Sequence, residues 1–430
     1  GVPLPGVTIV DQGHKGGLLG IDNGTLGFDH VRVARQMLLD RFGGVGADGV
    51  YTSSIENPNA RFFTMLGTLV RGRICVGGAA GSATRRALSI ATRYALQRTQ
   101  FRAPGLGEEI TLLDYRLHQR KLIPNLARAY AFGFAQNEIS LKLQRVLDAN
   151  ARGERDDRAS RELETRAAGL KAAQTRWAND TVQLCREACG GAGYLTANQI
   201  TLTRSDVDVF ATFEGDNTVL LQLVAKALLL DYKRTWGDMD LRGTAQATAR
   251  LLGDEFMERT AARNVIDRLV ATAQRVPESQ VTLQRAWHVD LFEERERHSV
   301  EGLARRMRAA GKLPNHDTFE AINATGEHMV FAARAHTERI ILEAFIAGIA
   351  NTRDAAAAAM LEKLCTLFAL SSIEKDAAWY LEHHRLSPAR AKAVSASIDK
   401  LCAELRPDAP AIVEGLGIPE EWLEAPLISV

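Results

Sequence analysis

The sequence predicts a mainly α protein: the remnant of a small β-domain, then a four-helix bundle, then a second helical bundle. Three observations carry that prediction. The first 56 residues read as short strands, apolar residues recur at helical spacing from Asn57 onward, and amphipathic segments continue to the end of a 430-residue chain. The expected divisions are residues 1–56, 57–234 and 235–430, and the length is ample for two or three domains with a sizeable core.

Within residues 1–56, "GVTIV" and "TLGFDHVRV" carry β-branched and alternating residues on either side of the Gly/Asn/Asp-rich "HKGGLLGIDNG". These strands are too few to close a sheet. The chain also opens abruptly, with "GVPLPGVTIVDQG", so a longer parent protein is expected. From Asn57 a long helical run reaches "YALQRTQF", opening on an Asn-Pro cap and first turn. Its middle holds Gly77, Gly78, Ala79, Ala80 and Gly81. Each glycine there costs roughly 1 kcal/mol against Ala, so close approach of another helix or a ligand is expected. Further helices are predicted over about 109–152, 157–189 and 216–234, and four long helices with short connections make a bundle. Beyond residue 235 come "DEFMERTAARNVIDRLVATAQRV", "FEAINATGEHMVFAARAHTERIILEAFIAGIA" and "AAAAMLEKLCTLFALSSIEKDAAWYLEHH", with Pro277, Pro314 and Pro388 as boundaries. No chemical motif stands out there. Packing, oligomerisation or enclosure of a site made elsewhere is the expected role.

Composition narrows the function classes. Lys and Arg total 53 against 52 acidic residues, a net charge of +1, so no global field favours nucleic acid or an anionic membrane. No apolar run reads as the ~20 residues of a membrane span; the longest, Val219–Leu230, is broken by Gln222 and Lys226. The five cysteines suit a reducing compartment. Cys185 and Cys189 lie one helical turn apart without a second pair at metal spacing, so buried packing is expected rather than a metal site. With neither a signal-peptide pattern nor an address in "EAPLISV", the expected setting is cytoplasmic.

Three motifs precede Thr235: "YALQRTQF" (Tyr94–Phe101), "CREACGGAGYL" (Cys185–Leu195) and "FEGDNTV" (Phe213–Val219). Each has a structural reading by itself. Arg98 sits well at a helix C-terminus, "GGAG" after a helix is a C-cap and turn, and Asp216 or Asn217 before an apolar helix is an N-cap. Glu214 is harder to dismiss, because it lies between an aromatic and a glycine just before an almost wholly apolar helix.

Taken in order, R-x-x-F at Arg98, GG-x-G at Gly190 and the late Glu214-Gly215 resemble the acyl-CoA dehydrogenase/oxidase flavoprotein superfamily. "LGFDHVRVAR" and Arg73 extend the likeness over about residues 1–234. The acyl-CoA oxidase branch fits best, because "FEGDNTV" looks like its catalytic segment and a long helical extension follows. The resemblance implies that FAD is the cofactor and acyl-CoA the substrate. Glu214 would then be the base removing a Cα proton while Cβ gives a hydride to flavin, yielding a 2,3-double bond. Phe213 would supply apolar wall, Gly215 would let backbone pass close to the thioester, and the Glu214 N–H would donate to the thioester carbonyl. Arg98, Gln100 and Phe101 would contact the FAD of a neighbouring subunit, with Gly190, Gly191 and Gly193 near its dinucleotide end; a homodimer or higher homo-oligomer follows. Glu187 stands where dehydrogenases commonly have Gln. Asp216 and Thr218 would lie near the cofactor, Arg73 near the base, and Lys226 on the same helix either reaches CoA phosphate or snorkels. The electron acceptor would be O2, with peroxide as product. The alternatives are a dehydrogenase passing electrons to an electron-transfer flavoprotein and a flavin-free helical scaffold.

Overall fold

Two short antiparallel ribbons open the chain in the computed structural model, which describes residues 2–58, 61, 64, 68–102, 105, 107–154, 156–236, 278–310 and 318–428. The chain divides into a unit of residues 1–72 and a unit of residues 73–430. In the first unit, β1 (Val7–Asp11) pairs with β2 (Gly24–Phe28), Val7 opposite Phe28 and Asp11 opposite Gly24. A second ribbon joins β3 (Gly44–Val45) to β4 (Tyr51–Thr52). Ile9, Val10, Leu26 and Phe28 are all exposed on the first ribbon. Two-stranded ribbons are marginal alone in water, and the β sequence expected over 1–56 takes this form.

The helical run expected from Asn57 is interrupted by a turn at residue 68, and α1 spans Leu69–Gln97. Helix α1 ends before Arg98, which the sequence placed at the close of the helix. The chain instead enters a hairpin of β5 (Thr99–Arg102) and β6 (Glu109–Thr111). Then come α2 (Arg116–Ala151) and α3 (Asp157–Ala188). Asp156 caps α3, its carboxylate accepting from the Arg158 and Ala159 N–H groups. A short α4 (Ile200–Asp208) precedes α5 (Asn217–Trp236). The glycines of α1 meet the expected close approach. A Cβ on Gly77 would lie 2.9 Å from Gln174 Oε1 and 3.6 Å from the Lys171 Cα of α3, and one on Gly78 would lie 3.2 Å from Gln136 Nε2 of α2.

Downstream lie α6 (Arg285–Ala310), α7 (Thr318–Ala324), α8 (Gly326–Ala350), α9 (Ala355–Lys375), α10 (Ala377–Glu382), α11 (Pro388–Leu405) and α12 (Ala409–Glu414). Two stretches that read as single helices are each broken, at Thr325 and at Asp376. The helix expected over "DEFMERTAARNVIDRLVATAQRV" lies outside the described residues. One core joins four helices: Ala168 and Ala172 of α3 and Leu220, Val224 and Leu228 of α5 pack with Val300 and Leu303 of α6 and Met329, Ala332 and Ala333 of α8. Each large side chain so buried contributes about 1.5–3 kcal/mol.

Helix α9 corrects the reading of apolar runs. By length and composition it, and not Val219–Leu230, is long and apolar enough to cross a membrane. Yet Leu364, Cys365, Leu367, Phe368 and Leu370 are buried, in a helix that packs on α2 and α11 as a core helix does.

Candidate active site

The corner before α5 is built by its caps. Asp216 accepts from the Thr218 N–H at 2.8 Å and the Val219 N–H at 3.3 Å, closing the first turn. Just before it the backbone turns left-handed at two successive residues, Glu214 (φ +55°) and Gly215 (φ +105°). The conformation costs a non-glycine residue about 1–2 kcal/mol. Gly215 tolerates it, and a Cβ there would also press on Leu220 Cδ2 at 3.0 Å. Strain of this kind persists where the surroundings over-determine it, often at functional sites.

Glu214 is half-buried, and its Oε2 is buried without a hydrogen-bond partner among the described residues. Phe213, partly exposed beside it, stacks on Phe210 with centroids 5.2 Å apart. The side chain that secures the turn is Lys171 of α3, at 0% exposure. Its Nζ donates to the Gly215 carbonyl at 2.7 Å and to Asn217 Oδ1 at 3.1 Å. Asn217 is held in turn by Thr175, whose hydroxyl donates to Asn217 Oδ1 at 3.1 Å. Burial pushes Lys171 down to about 8; Asp216 and Glu214 act in the opposite direction, while Arg73 adds to the lowering. Arg73, Asp216 and Glu214 thus all lie within electrostatic reach of one ammonium.

Arg73 on α1 is 9% exposed, with its nearest carboxylate, Glu164, at 3.8 Å, and its Nε and Nη1 make no hydrogen bond among the described residues. Gln174 Oε1 is likewise buried and unbonded. Unpaired buried polar atoms are few in folded proteins and call for an explanation; four lie on three side chains around this corner.

The remaining site residues are placed as follows. Arg98, just past α1, is exposed, and its carbonyl accepts from the Leu112 N–H at 2.8 Å. Gln100 and Phe101 lie on β5, where the register shifts between Gln100 and Arg102. Phe101, inside this bulge, has φ +61° and is 70% exposed. The Tyr115 hydroxyl donates to the Gln100 carbonyl at 2.6 Å and fixes the bulge from below. After α3, Gly190 takes φ +55° and ends the helix. Gly193 is needed for space, since a Cβ there would lie 2.1 Å from the Arg186 carbonyl oxygen. Among the described residues no neighbour lies within 4 Å of the Cβ positions of Gly190 or Gly191. Glu187 accepts from Gln183 Nε2 at 2.5 Å and has Arg186 Nη2 at 3.8 Å. Thr218 and Lys226 are exposed on α5. Cys185 and Cys189 are buried free thiols, and burial pushes Cys189 up to about 12.

Sequence reading missed Lys171, Thr175, Asn217 and Gln174 as site residues. One signal was present: Ala167, Lys171, Thr175, Ala178 and Val182 follow the buried stripe of α3, so the lysine lies where an apolar residue is expected.

Residues 66–229 match the family model described as acyl-CoA oxidase, C-alpha1 domain, and residues 284–429 match the one described as acyl-CoA oxidase. The chain belongs to the acyl-CoA oxidase family. It is 36% identical over 424 residues to acyl-coenzyme A oxidase 2, peroxisomal, of Arabidopsis thaliana, covering 99% of this chain and 59% of that protein. Acyl-CoA oxidase 1 of Arabidopsis thaliana superposes with TM-score 0.82 at 28% identity, covering 99% of this chain and 61% of that one. Acyl-CoA oxidase-1 of Caenorhabditis elegans, solved with FAD and ATP, has TM-score 0.81 at 24% identity, covering 99% of this chain and 59% of that one, and speaks to the fold. The chain therefore spans about six-tenths of the length of these acyl-CoA oxidases. The expected cytoplasmic setting is overturned: oxidase relatives from Arabidopsis thaliana, Homo sapiens and Rattus norvegicus are peroxisomal, which points to peroxisomes. Net charge and hydropathy do not distinguish these compartments.

Proposed function

We propose that the chain is the helical, catalytic-base portion of an FAD-dependent acyl-CoA oxidase, in which Glu214 takes the Cα proton of an acyl-CoA. The observation that carries this is the buried, unbonded Oε2 of Glu214 on a strained turn, with partly exposed Phe213 as an apolar neighbour. A carboxylate oxygen not engaged by a donor is open to take a proton from carbon.

The residues present fit FAD. Arg98 is an exposed cation with no ion pair among the described residues, Phe101 offers an open aromatic face, and Gly190 and Gly191 leave backbone accessible. Arg98, Gln100, Phe101, Gly190, Gly191 and Gly193 would hold its phosphate and adenosine end, with Thr218 and Asp216 at the mouth of α5. The exposure of the Arg98 hairpin suits contact with the cofactor of a second subunit, and so a homo-oligomer. When bound, FAD supplies the two-electron acceptor for the Cβ hydride. Glu214 receives and holds the Cα proton, its N–H and the open path at Gly215 receive the thioester, and Phe213 excludes water. Arg73 contributes positive charge to the same corner.

The complete enzyme, assayed aerobically with acyl-CoA and no added acceptor, is expected to form enoyl-CoA and hydrogen peroxide in equal amounts. Turnover only with an electron-transfer flavoprotein reassigns it as a dehydrogenase. A purified protein without flavin absorbance favours a scaffold.

A further inference from the structure

We propose that Lys171 is a positioning residue for Glu214: its ammonium clamps the Gly215 carbonyl and holds a positive field beside the carboxylate. This rests on the assignment of Glu214 as the base. The clamp is direct, because the Lys171 Nζ lies 2.7 Å from Gly215 O while the peptide on the other side of Gly215 belongs to Glu214. Two left-handed residues in succession are costly without such support. Here Lys171 grips the carbonyl, Asn217 ties the lysine to Thr175, and Asp216 caps the helix beyond.

The arrangement also explains a buried lysine in the interior of a bundle. Lysines are rarely buried fully unless paired, and no carboxylate oxygen lies within ion-pair distance of its Nζ among the described residues. The charged groups that face it are Asp216 and Glu214 on the turn and Arg73 from α1. The other polar groups around it, Gln174 and Thr175 on its own helix and Gln136 on α2, are neutral. Among the described residues no carboxylate therefore neutralises the ammonium by contact, and Glu214 is one of the charges that act on it.

The test uses the FAD-loaded complete enzyme. Lys171→Met removes the charge and keeps the stem. The acid limb of kcat/KM against pH is expected to move up by about one unit, a tenfold change in proton affinity. Lys171→Arg, which keeps the charge and a donor for Gly215 O, is expected to return the limb towards its wild-type position. A purely structural lysine predicts lower yield with an unmoved limb, and that result overturns the proposal. Glu214→Gln separates the two assignments. If it turns over normally, the base assignment falls; if it is inactive while Lys171→Met leaves the limb unmoved, only the role of Lys171 falls. A second readout needs neither turnover nor a variant. Amide exchange at Leu220, whose N–H closes the turn on the Asp216 carbonyl at 2.9 Å, corrected for its intrinsic pH dependence, is expected to accelerate between pH 7 and 9 as Lys171 loses its proton. Equal protection across that range overturns the clamp.

Discussion

Two buried polar clusters in the helical unit are finished in different ways. Around Arg295 most charges are paired: Nη1 donates to Asp376 at 2.5 Å and Nη2 to Glu338 at 2.6 Å, while Arg334 also reaches Asp376 at 3.3 Å, although Arg295 Nε and Glu343 Oε2 have no hydrogen-bond partner among the described residues. Nearby, Glu296 takes His336 at 2.7 Å on one oxygen and Arg339 on the other, and Arg339 also pairs with Glu343. At the Glu214 corner the guanidinium of Arg73 stays 3.8 Å from Glu164, and Oε2 of Glu214 has no hydrogen-bond partner among the described residues. Both clusters carry the desolvation cost of buried charge. The first recovers most of it through ion pairs within the chain. A paired network can lock helices together, whereas an unpaired carboxylate beside a strained turn is ready for a partner from outside.

Opposite variants break this comparison where it is strongest. Glu214→Gln is expected to lower turnover by about 10²–10⁴-fold, with flavin and acyl-CoA binding kept and unfolding midpoints nearly unchanged. Stopped-flow flavin reduction with acyl-CoA reads the first effect and thermal unfolding the second; near-normal reduction removes Glu214 as the base. Arg295→Met should do the reverse. It leaves the largely buried Glu338 and Asp376 without their main cation, so a loss of about 3–5 kcal/mol in denaturant unfolding is expected. The folded fraction should keep its kcat. If Arg295→Met lowers kcat at full stability instead, the two clusters do not divide as described.

Much of this contrast was legible in the sequence, but unevenly. Asp216 followed by an apolar run announced α5 and its cap, and the spacing of apolar residues announced α3 within one residue of its ends. The small residues of α1 announced close helix contact, and Gly77 against Gln174 and Lys171 is that contact. Lys171 passed unnoticed because a lysine in "AAGLKAAQT" looks like an ordinary surface residue until the helix is docked. The β5–β6 hairpin was missed because its pairing is not local: Thr99 meets Thr111 across a loop, while the residues before it are strongly helical. The breaks at Thr325 and Asp376 come from tertiary packing, which overrides local periodicity. Arg73 entered the site through resemblance, since no spacing along the chain brings it near Glu214.

The smallest expected effect sharpens the comparison from inside the paired cluster, where Glu293 is the exception. Burial pushes its carboxyl up from about 4.5 to about 7; Arg339 opposes the shift, while Glu343, Asp290 and Glu296 add to it. Its Oε1 is buried without a hydrogen-bond partner among the described residues. An acid whose affinity for protons is higher in the folded state holds an extra proton between those two values. Stability from this group is therefore present below about 4.5 and is lost as the pH rises through about 7. Glu293→Gln keeps the shape and removes the titration. It should stabilise the protein by on the order of 1 kcal/mol at pH 8, with the difference vanishing near pH 4. Glu296, held at about 2 by Arg339 and His336 against the opposing effect of burial, has the opposite sign, so its contribution persists above about 4.5 and fades only in strong acid. Unfolding curves of wild type and Glu293→Gln at pH 5 and 8 decide the matter. A constant offset at both values means that Glu293 is already paired in solution, and the cluster then has no exception.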